Sequence, residues 1–566
     1  MDRTNRQSLA WAAFVALCAL TLRVWFLAAF AGSPLFQPVE GGHDRTIYHQ
    51  AAQGPFWPEG AFEYLPLYPA LLRGVYALFG SSLNAAAAFG IACDAATTAL
   101  IALIALRLGA RPVLAGIAGL LYAGYPLAIA YACLTMPNTL NALLLAACTL
   151  ALLHLPGRRW PAWAGFGALA GLAALGWAAW LLIAAALLVY WGGQHLLRGG
   201  GAPTPAWRCM AAFALGFSLP LLPVAWHNSR VEGSFVLLTT HGGFNFYMGN
   251  HERATGHPVR VRDFRMSARA LLEDAHRAAE QDSGRTLTRA ESSAWWSGQG
   301  RSFWREQPGA ALALTARKLM LFWNRVDVDD LRIVEQARLL AGRFTSPLWP
   351  GFALIAWLGL MGLFLAPRAG PLRVILLTGM AGLVLYFITA RYRLTLAPAM
   401  LALGAAGLTA GVANLRERRW IPLLSGAVAF ALVVAWPMPV RDQRAVDHYN
   451  AAVQLVQAGR LADAQRLAQA GLEIDARSAD LHHVLGSALF KQERFSEAAS
   501  CFAQSAALDP AHPQAAYNLA LSLARTGDIC GAHRALLQAA ALRPLPENAQ
   551  RLAGELDRLC GASGSP

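Results

Sequence analysis

The sequence predicts an all-α fold, in which a polytopic membrane protein with about 11 transmembrane helices is followed by a soluble α-helical repeat domain. Of the 566 residues, 56% are hydrophobic and only 14% are charged. The mean hydropathy is +0.38, which is too apolar for a soluble protein of this size. Apolar runs of ~20 residues, long enough to cross a bilayer, recur up to about residue 438. Beyond that point the chain becomes amphipathic and rich in Ala, Gln, Asp and Arg.

The candidate spans follow one another along the first 438 residues. Each is an apolar run that ends near polar or basic residues, and they lie near residues 8–30, 85–106, 113–132, 139–154, 161–175, 177–192, 209–226, 348–366, 374–390, 394–413 and 421–437. Residues 1–438 are therefore expected to form the membrane domain, and residues 439–566 the soluble domain. The first run is long, which favours an anchor over a signal peptide.

The arginines in the loops between spans predict how the helices are oriented in the membrane. A net charge of +14 can indicate nucleic-acid binding, but in a membrane protein such charges first orient the helices. With the N-terminus inside, every inner turn carries arginine, as the positive-inside rule requires. Among the short outer turns, the one with Arg391 and Arg393 breaks this pattern. We therefore expect membrane lipid as a partner, and no nucleic acid.

Two outer loops are long, residues 31–84 and 227–347. On this topology both lie on the same side of the membrane as Arg391 and Arg393. Acidic, aromatic, glycine-rich and basic elements thus gather on one outer face, where the sequence places the functional site.

Arg391 and Arg393 stand between two apolar runs in the stretch YFITARYRLTLAP. A central arginine costs about 2.5–3.5 kcal/mol on insertion scales, although snorkelling to the headgroups lowers that cost. A phosphate or diphosphate on a lipid is an anion whose oxygens match the paired N–H donors of a guanidinium group. Snorkelling and a bound lipid phosphate are the two interpretations of this pair.

Asp44 is the candidate acid of the first loop. It precedes Tyr48 by four residues, so on a helix the two share one face, where a carboxylate near the membrane surface could act as a general base. A solvated loop carboxylate or a helix N-cap is the alternative. His43 and His49 flank it without a second acidic ligand at matching spacing, and Arg45 follows it, so there is no DxD motif. We predict no metal.

In the second loop, the stretch HGGFNFYMGN sets three glycines around Asn245, Tyr247 and Asn250. Glycines allow tight turns and backbone approach to a ligand, while Asn and Tyr supply the hydrogen bonds and flat faces used in sugar recognition. A purely structural turn is the alternative. The stretch has no phosphate-loop lysine, which disfavours nucleotide binding.

Five stretches in this order resemble bacterial members of the GT-C glycosyltransferase superfamily, which include protein O-mannosyltransferase-like and lipid A aminoarabinose transferase-like enzymes. They are the D-x3-Y-x3-A pattern from Asp44 to Ala52, YLPLYP from Tyr64 to Pro69, HNSRVEGSFVLLTTHGGFNFYMGN, KLMLFWN from Lys318 to Asn324, and RYRL from Arg391 to Leu394. The resemblance covers roughly residues 10 to 437.

This resemblance implies a multi-span enzyme of the bacterial inner membrane that transfers a sugar from a polyprenyl-phosphate carrier to a periplasmic acceptor. By analogy Asp44 is the base, and Arg391 and Arg393 hold the lipid phosphate. The other implied residues bind substrate along the cavity walls: Tyr48, Tyr64, Tyr68, Asn245, Tyr247, Asn250 and Lys318. The lipid-linked donor is a substrate, so no cofactor is implied.

The chain also departs from this family. Many relatives carry a glutamate at the outer end of the fourth span, where this chain has Asn138. The aminoarabinose branch usually has a lysine before its proline pair, where Leu65 and Pro66 stand here, which disfavours that substrate.

Residues 439–566 contain a repeat of 34 residues with frames that start at 445, 479 and 513. Small or apolar residues recur at matching positions: Ala464, Ala498 and Ala532; Leu455, Leu489 and Leu523; Pro510 and Pro544. The pattern resembles the tetratricopeptide repeat, which implies an α-solenoid with a final helix near 547–560. An unrelated helical bundle is the alternative. The segment holds an odd number of cysteines, Cys501, Cys530 and Cys560.

Three functions are compatible with these features. The leading one is a polyprenyl-phosphate-dependent glycosyltransferase whose outer repeat domain recruits a protein, lipid or glycan acceptor. The second is a catalytically inert membrane scaffold that acts through its repeats, which the missing acid at Asn138 favours. The third is a lipid-linked glycan ligase or a transporter, which would also use outer arginines.

Overall fold

In a computed structural model the chain is all-helical, which confirms the predicted α class, and it divides into two compact units. The first unit comprises Met1–Ala31, Phe36–Val334 and Ser346–Met438, and the second comprises Gly32–Leu35, Glu335–Thr345 and Pro439–Pro566. The structure describes residues 3–33, 36, 44–197, 207–258, 261–262, 264, 268–344, 346, 348–367, 369–417, 420, 424, 426–428, 430–438, 444–510, 513–542 and 547–563. No strand occurs in these ranges.

Nineteen α-helices precede residue 417 in the part of the chain that the structure describes. In chain order they are α1 (Arg3–Phe30), α2 (Asp44–Gln53), α3 (Leu67–Phe79), α4 (Leu83–Arg107), α5 (Pro112–Ala123), α6 (Pro126–Ala132), α7 (Asn138–Leu153), α8 (Trp160–Ala174), α9 (Trp180–Leu197), α10 (Trp207–Ser218), α11 (Leu221–Glu232), α12 (Gly242–Gly249), α13 (Ala268–Ser283), α14 (Arg289–Glu306), α15 (Pro308–Trp323), α16 (Ile333–Ala341), α17 (Phe352–Leu365), α18 (Gly370–Leu385) and α19 (Ala390–Arg416).

Several of these helices can cross a membrane. Within the described chain, α1, α4, α9 and α19 are long and apolar enough, and the bent pairs α5–α6 and α10–α11 bring the number to six if each pair is one span. The shorter apolar helices α3, α7, α17 and α18 have 13 to 16 residues. These helices are consistent with a membrane protein, while the count of eleven spans remains a prediction. The span expected near 421–437 falls partly outside the described residues.

Close packing between α8 and α10 depends on glycine. Gly167 and Gly171 of α8 face the backbone of Phe213 and Phe217 in α10, and Gly216 of α10 faces α8 in return. A Cβ atom at any of these glycines would overlap a backbone carbonyl oxygen. Since membrane helices associate through small residues that let their backbones approach, larger residues here would separate the two helices.

A buried ion pair connects α1 with α4. Nε of Arg23 donates a hydrogen bond to Asp94 Oδ2 at 2.6 Å, and both side chains are fully buried. The Tyr122 hydroxyl donates to the other oxygen of Asp94 at 3.1 Å. The same guanidinium donates to the carbonyls of Tyr122 and Ala123, where α5 ends before a bend of 59°. Arg23 therefore gives the Ala123 carbonyl at the break a donor and adds a side-chain donor to the backbone N–H that the Tyr122 carbonyl already accepts.

Replacing Asp94 with Ala is expected to lower the free energy of unfolding by about 3–5 kcal/mol, because Arg23 would remain buried without its counter-charge. Thermal unfolding of the detergent-solubilised protein measures the loss. The control is Asp282→Ala, which removes an ion pair with Arg262 whose side chains are 46% and 35% exposed. That change should cost less than about 1 kcal/mol. Equal losses in the two variants would contradict a stabilising role for the buried pair.

The 227–347 segment folds largely into helices, although the sequence analysis treats it as a loop. Phe244 of α12 and Trp296 of α14 are buried in its core with α13. Gly243 lets α12 approach α14, because a Cβ atom there would overlap the Ser293 carbonyl. Thr288 caps the start of α14 in a reciprocal capping box with Glu291. The described residues between 227 and 334 thus form a packed helical layer of the first unit.

The second unit contains a run of short helices that pack in sequence, each against the next. They are α20 (Arg444–Gln457), α21 (Leu461–Ile474), α22 (Ala479–Lys491), α23 (Phe495–Leu508), α24 (Pro513–Thr526), α25 (Ile529–Leu542) and α26 (Glu547–Ser563). The repeated alanines Ala464, Ala498 and Ala532 are all fully buried. Cys530 and Cys560 form a disulfide that joins α25 to α26. This architecture is that of helical repeats, while the α-solenoid remains a prediction.

Candidate active site

Arg391 lies between two carboxylates from distant parts of the chain. Its Nη1 donates to Asp44 Oδ2 at 2.7 Å, and its Nη2 lies 2.7 Å from Asp330 Oδ2. Asp44 and Arg391 are 347 positions apart in the sequence. Their side chains are 21% and 11% exposed, so the pair is largely shielded from solvent. The structure thus brings the predicted base and one predicted phosphate-binding residue into a single cluster.

The start of α19 explains why acids gather at this point. A helix N-terminus carries a partial positive charge of about half an elementary charge. Arg391 and Arg393 add two full positive charges in the first turn of α19. The carboxylates of Asp44, Asp327 and Asp330 offset this charge. The anions that compensate the arginines are therefore side chains of this chain itself.

Arg393 has a different environment from Arg391. Its guanidinium donates to the Asp327 carboxylate and to three carbonyls at 2.7–2.9 Å, those of Leu321, Asn324 and Val326. The side chain is 1% exposed. These contacts engage both Nη groups, while Nε is buried without a hydrogen-bond partner. In this conformation the side chain organises the turn that follows α15, and the expected role of Arg393 in holding a lipid phosphate stays a prediction.

Tyr48, Tyr64 and Tyr68 form an aromatic cluster beside Asp44. The ring centroid of Tyr48 lies 5.6 Å from that of Tyr64 and 5.5 Å from that of Tyr68, both in edge-to-face geometry. Burial raises the pKa of Tyr48 and of Tyr64, and the Asp44 charge adds to the rise. Both hydroxyls therefore stay protonated and can donate hydrogen bonds.

His241 extends this cluster, although the sequence analysis does not single it out. Its ring centroid lies 5.4 Å from that of Tyr64. Burial lowers the pKa of His241 to about 4, while the nearby Asp44 carboxylate acts in the opposite direction. The imidazole is therefore neutral at physiological pH. Its position directly before the glycines of HGGFNFYMGN was the signal available in the sequence.

The acidic stretch VDVDD, residues 326–330, was missed from the sequence, yet it supplies a carboxylate to each of the two arginines. The hydroxyls of Tyr125 and Tyr131 donate to Asp327 at 3.3 Å and to Asp329 at 2.8 Å. Tyr125 directly precedes α6 and Tyr131 lies near its end, so both ends of α6 hold the acidic stretch in place. Three aspartates within the six residues that follow KLMLFWN were the available signal.

Burial raises the pKa of Asp330 to about 6, against the opposing charge of Arg391. Between the ordinary pKa of 3.8 and this value, the folded state holds a proton that the unfolded state has lost. Stability should therefore fall as the pH rises through this window, by about 3 kcal/mol in total. The Asp330→Asn variant should lack this component, while the control Asp282→Asn should keep it. Thermal unfolding at pH 4 and pH 7 measures the difference, and identical pH dependence in wild type and Asp330→Asn would contradict it.

Lys318 of α15 is fully buried, and within the described chain it has no carboxylate in ion-pair distance. Its Nζ donates to Asn250 Oδ1 at 3.2 Å, an oxygen that also accepts the Trp304 indole N–H at 3.1 Å. Burial lowers the pKa of Lys318 to about 8. A buried ammonium with one neutral acceptor is a favourable place for an anion.

Asn245 and Tyr247 lie on α12, which packs into the same core cluster as Phe387 and Tyr392 beside Arg391. The Tyr247 ring packs 4.7 Å from Trp296 and 5.1 Å from His251. Among the residues that the structure describes, neither forms a hydrogen bond or ion pair with Asp44 or Arg391. The Asn250 N–H donates to the Tyr247 carbonyl at 2.8 Å, and the Asn250 side chain contacts a further predicted site residue, Lys318.

Asn138 contacts the site at the position where many relatives have an acid. Its Nδ2 donates to the Arg391 carbonyl at 3.0 Å, and its Oδ1 is buried without a hydrogen-bond partner. A neutral amide here adds no negative charge to the cluster. Across the described part of the chain, no group of three or more His, Cys, Asp or Glu side chains is arranged to hold a metal ion.

Comparison with known proteins identifies no family model and no curated relative that matches this chain. Similar solved structures include the type III secretion chaperone SycD of Yersinia enterocolitica with a YopD peptide (20% identity, 21% of this chain, 89% of that chain, TM-score 0.19). They also include MamA (18% identity, 27% of this chain, 84% of that chain, TM-score 0.20). PcrH from Pseudomonas aeruginosa is a third (22% identity, 22% of this chain, 96% of that chain, TM-score 0.19). Similarities this weak establish neither a function nor a partner.

Proposed function

We propose that this chain is a membrane glycosyltransferase that transfers a sugar from a polyprenyl-phosphate donor to a hydroxyl-bearing acceptor, with Asp44 as the general base. The observation that carries the proposal is the 2.7 Å ion pair between Asp44 and Arg391. It combines an acid and a cation, the two groups that base-assisted displacement of a phosphate requires. The resemblance of five stretches to GT-C enzymes supports the same chemistry.

In the proposed reaction, the acceptor hydroxyl oxygen attacks the anomeric carbon of the donor sugar. The bond between that carbon and the phosphate oxygen breaks, and its electron pair leaves with the polyprenyl phosphate. The hydroxyl proton passes to the Asp44 carboxylate. Arg391 orients Asp44 and offsets the negative charge of the leaving phosphate. Asp330 keeps Arg391 in position while Asp44 turns to the acceptor.

We assign the lipid phosphate first to Arg391, whose side chain is 11% exposed. Arg393 and Lys318, which are 1% and 0% exposed, stay in the proposal as further contacts that a rearrangement of their neighbours would have to uncover. The Lys318 ammonium has one amide acceptor, so a phosphate oxygen would provide an anionic partner. Tyr48, Tyr64 and Tyr68 would border the sugar, since they lie beside Asp44.

The proposal includes eleven spans in a bacterial inner membrane, with the active site and the repeat unit on the periplasmic side. The disulfide between Cys530 and Cys560 supports this side for the second unit. Disulfides persist in oxidising compartments such as the periplasm and are rare in the cytosol. The repeats would then recruit the protein or glycan that accepts the sugar, using the concave face of an α-solenoid.

The test is a donor-cleavage assay. The full chain is reconstituted in liposomes with polyprenyl phosphates that carry radiolabelled mannose, glucose, galactose, N-acetylglucosamine or arabinose. We expect release of polyprenyl phosphate from at least one donor, by hydrolysis or by transfer to an added acceptor. No cleavage of any of these donors, by a protein whose unfolding transition is intact, would overturn the proposal.

A catalytically inert scaffold is the second candidate, and the neutral Asn138 beside Arg391 favours it. For a scaffold, deletion of residues 439–566 should abolish the function of the protein in the cell, whereas Asp44→Asn should leave that function unchanged. For an enzyme, Asp44→Asn should abolish sugar transfer, whereas the truncated chain should still cleave the donor. Measuring both variants side by side separates the two functions.

A further inference from the structure

Helix α3 packs on the protein with one face and leaves the opposite face exposed. Its buried side chains, Tyr68, Leu72 and Tyr76, contact α2 and α4 in one apolar cluster. The opposite face carries Leu71 and Leu78, which are 41% and 78% exposed. These two leucines are seven positions apart, so they lie on the same side of the helix about two turns from each other. The exposed face of α3 is thus apolar, like the buried face.

No charged side chain of α3 offsets this apolar character. The helix has a single charged residue, Arg73, and its guanidinium donates to the Ala51 carbonyl of α2 at 3.2 Å. Phe79, the last residue of α3, is a further large apolar side chain that is 75% exposed. A helix on the aqueous surface of a domain carries polar residues on its outer face. The outer face of α3 is therefore suited to contact with lipid and not with water.

Both ends of α3 lie at the ends of helices that the sequence predicts to cross the membrane. The N–H of Leu67, its first residue, donates to the carbonyl of Leu175, which directly follows α8. Three residues separate Phe79 from the start of α4. The end of α8 and the start of α4 are predicted on the same, outer side. At about 20 Å, α3 is too short to cross a hydrocarbon core of about 30 Å, so it runs along the membrane surface.

The chain before α3 lies at the level of this surface. Exposed leucines form a stripe along the bent pair α10–α11: Leu215, Leu219 and Leu222. The stripe continues to the exposed Trp226, and the Arg230 guanidinium lies over its ring, 5.5 Å from the centroid. Trp and Arg side chains mark the boundary between hydrocarbon and headgroups. His227, next to Trp226, contacts the exposed Trp57 with ring centroids 5.0 Å apart. Trp57 therefore lies at the same boundary, ten positions before α3 begins.

We propose that α3 lies in the membrane–water interface of the outer leaflet, with its Leu71 and Leu78 face in contact with phospholipid. The bilayer is the occupant of this face, because the face extends between two span ends and follows a segment at the headgroup boundary. Part of the 31–84 loop is then embedded in lipid. This contact does not depend on the proposed sugar transfer, and it would hold equally for a scaffold.

Through α3, the membrane surface also fixes the depth of α2. Nδ1 of His49 and the Tyr76 hydroxyl form a hydrogen bond of 2.6 Å between the two helices. The contact between Arg73 and the Ala51 carbonyl is a second connection. Asp44 is the first residue of α2. The carboxylate of Asp44 is thereby held close to the headgroup layer, where the phosphate of a lipid is located.

The test is photo-crosslinking of the wild-type full chain in liposomes of phosphatidylethanolamine and phosphatidylglycerol. Each preparation also contains a phosphatidylcholine with a diazirine, placed either directly below the headgroup or at the end of an acyl chain. Mass spectrometry after illumination locates the lipid adducts. We expect Leu71 and Leu78 to react alike, with about fivefold more adducts from the shallow diazirine than from the deep one, because an interfacial helix inserts only about 5–10 Å.

Two exposed residues of the same unit serve as controls. Leu17, in the middle of α1, should react mainly with the deep diazirine. Arg301 of α14 should react with neither. Absence of adducts on both Leu71 and Leu78 would show that water or protein covers this face, and would overturn the inference. Preference for the shallow diazirine at one of the two leucines and for the deep one at the other would overturn it as well, because α3 would then enter the bilayer.

Discussion

Replacing Asp44 with Asn is expected to slow sugar transfer by about a hundredfold to ten-thousandfold, the contribution that a general base makes. The amide keeps the size of the carboxylate but cannot take the proton from the acceptor. The fold should survive, because Arg391 retains its 2.7 Å partner Asp330 and the amide oxygen of the new side chain can still accept a hydrogen bond. Initial rates of transfer from the reconstituted donor measure the effect.

The matched control for Asp44→Asn is Asp282→Asn, an aspartate of the same unit in a half-exposed ion pair. Its transfer rate should equal that of the wild type. The thermal unfolding temperature of both variants should lie close to the wild-type value. Full activity of Asp44→Asn would remove Asp44 from the mechanism, and an unfolded variant would assign it a structural role.

Replacing Arg393 with Ala is expected to lower the free energy of unfolding by about 3–5 kcal/mol. The change leaves the carbonyls of Leu321, Asn324 and Val326 without their donor and removes the partner of Asp327. Buried acceptors that lose their donors bear the full cost of desolvation. Thermal or denaturant-induced unfolding in detergent measures this loss.

The control for this change is Arg325→Ala, because Arg325 belongs to the same segment and its side chain is exposed. We expect its stability to stay within about 0.5 kcal/mol of the wild type. If Arg393→Ala were as stable as Arg325→Ala and instead weakened binding of polyprenyl phosphate, Arg393 would be a ligand residue as the sequence first indicated.

Arg391 and Arg393 illustrate which properties of the site can be predicted from the sequence and which cannot. On the predicted topology both break the positive-inside pattern, which draws attention to the start of α19, where three aspartates pair with or lie beside the arginines. Spacing alone cannot separate them, since both occupy the first turn of α19. The structure separates them by exposure, because Arg391 is 11% exposed between two carboxylates and Arg393 is 1% exposed among carbonyls.

The acids that compensate the arginines cannot be predicted from short stretches of the chain, which give no sign of which distant carboxylate will approach. From the sequence, an external anion is therefore the expected partner. Asp330 and Asp327 lie more than 60 residues from the arginines along the chain, and Asp44 lies 347 positions from Arg391. Asp94, which pairs with Arg23 inside the helices, was missed for the same reason.

By itself, the sequence determined the helical class, the apolar character of residues 1–438 and the repeating character of residues 439–566. It also indicated which stretches contain candidate site residues. Local composition and periodicity decide these properties, because they depend on hydrogen bonds within a helix and on the faces each helix must bury. Only the tertiary structure decided which charges meet. Pairing over hundreds of residues depends on how the helices pack, and the cost of leaving a charge buried and unpaired then selects the partners that each arginine receives.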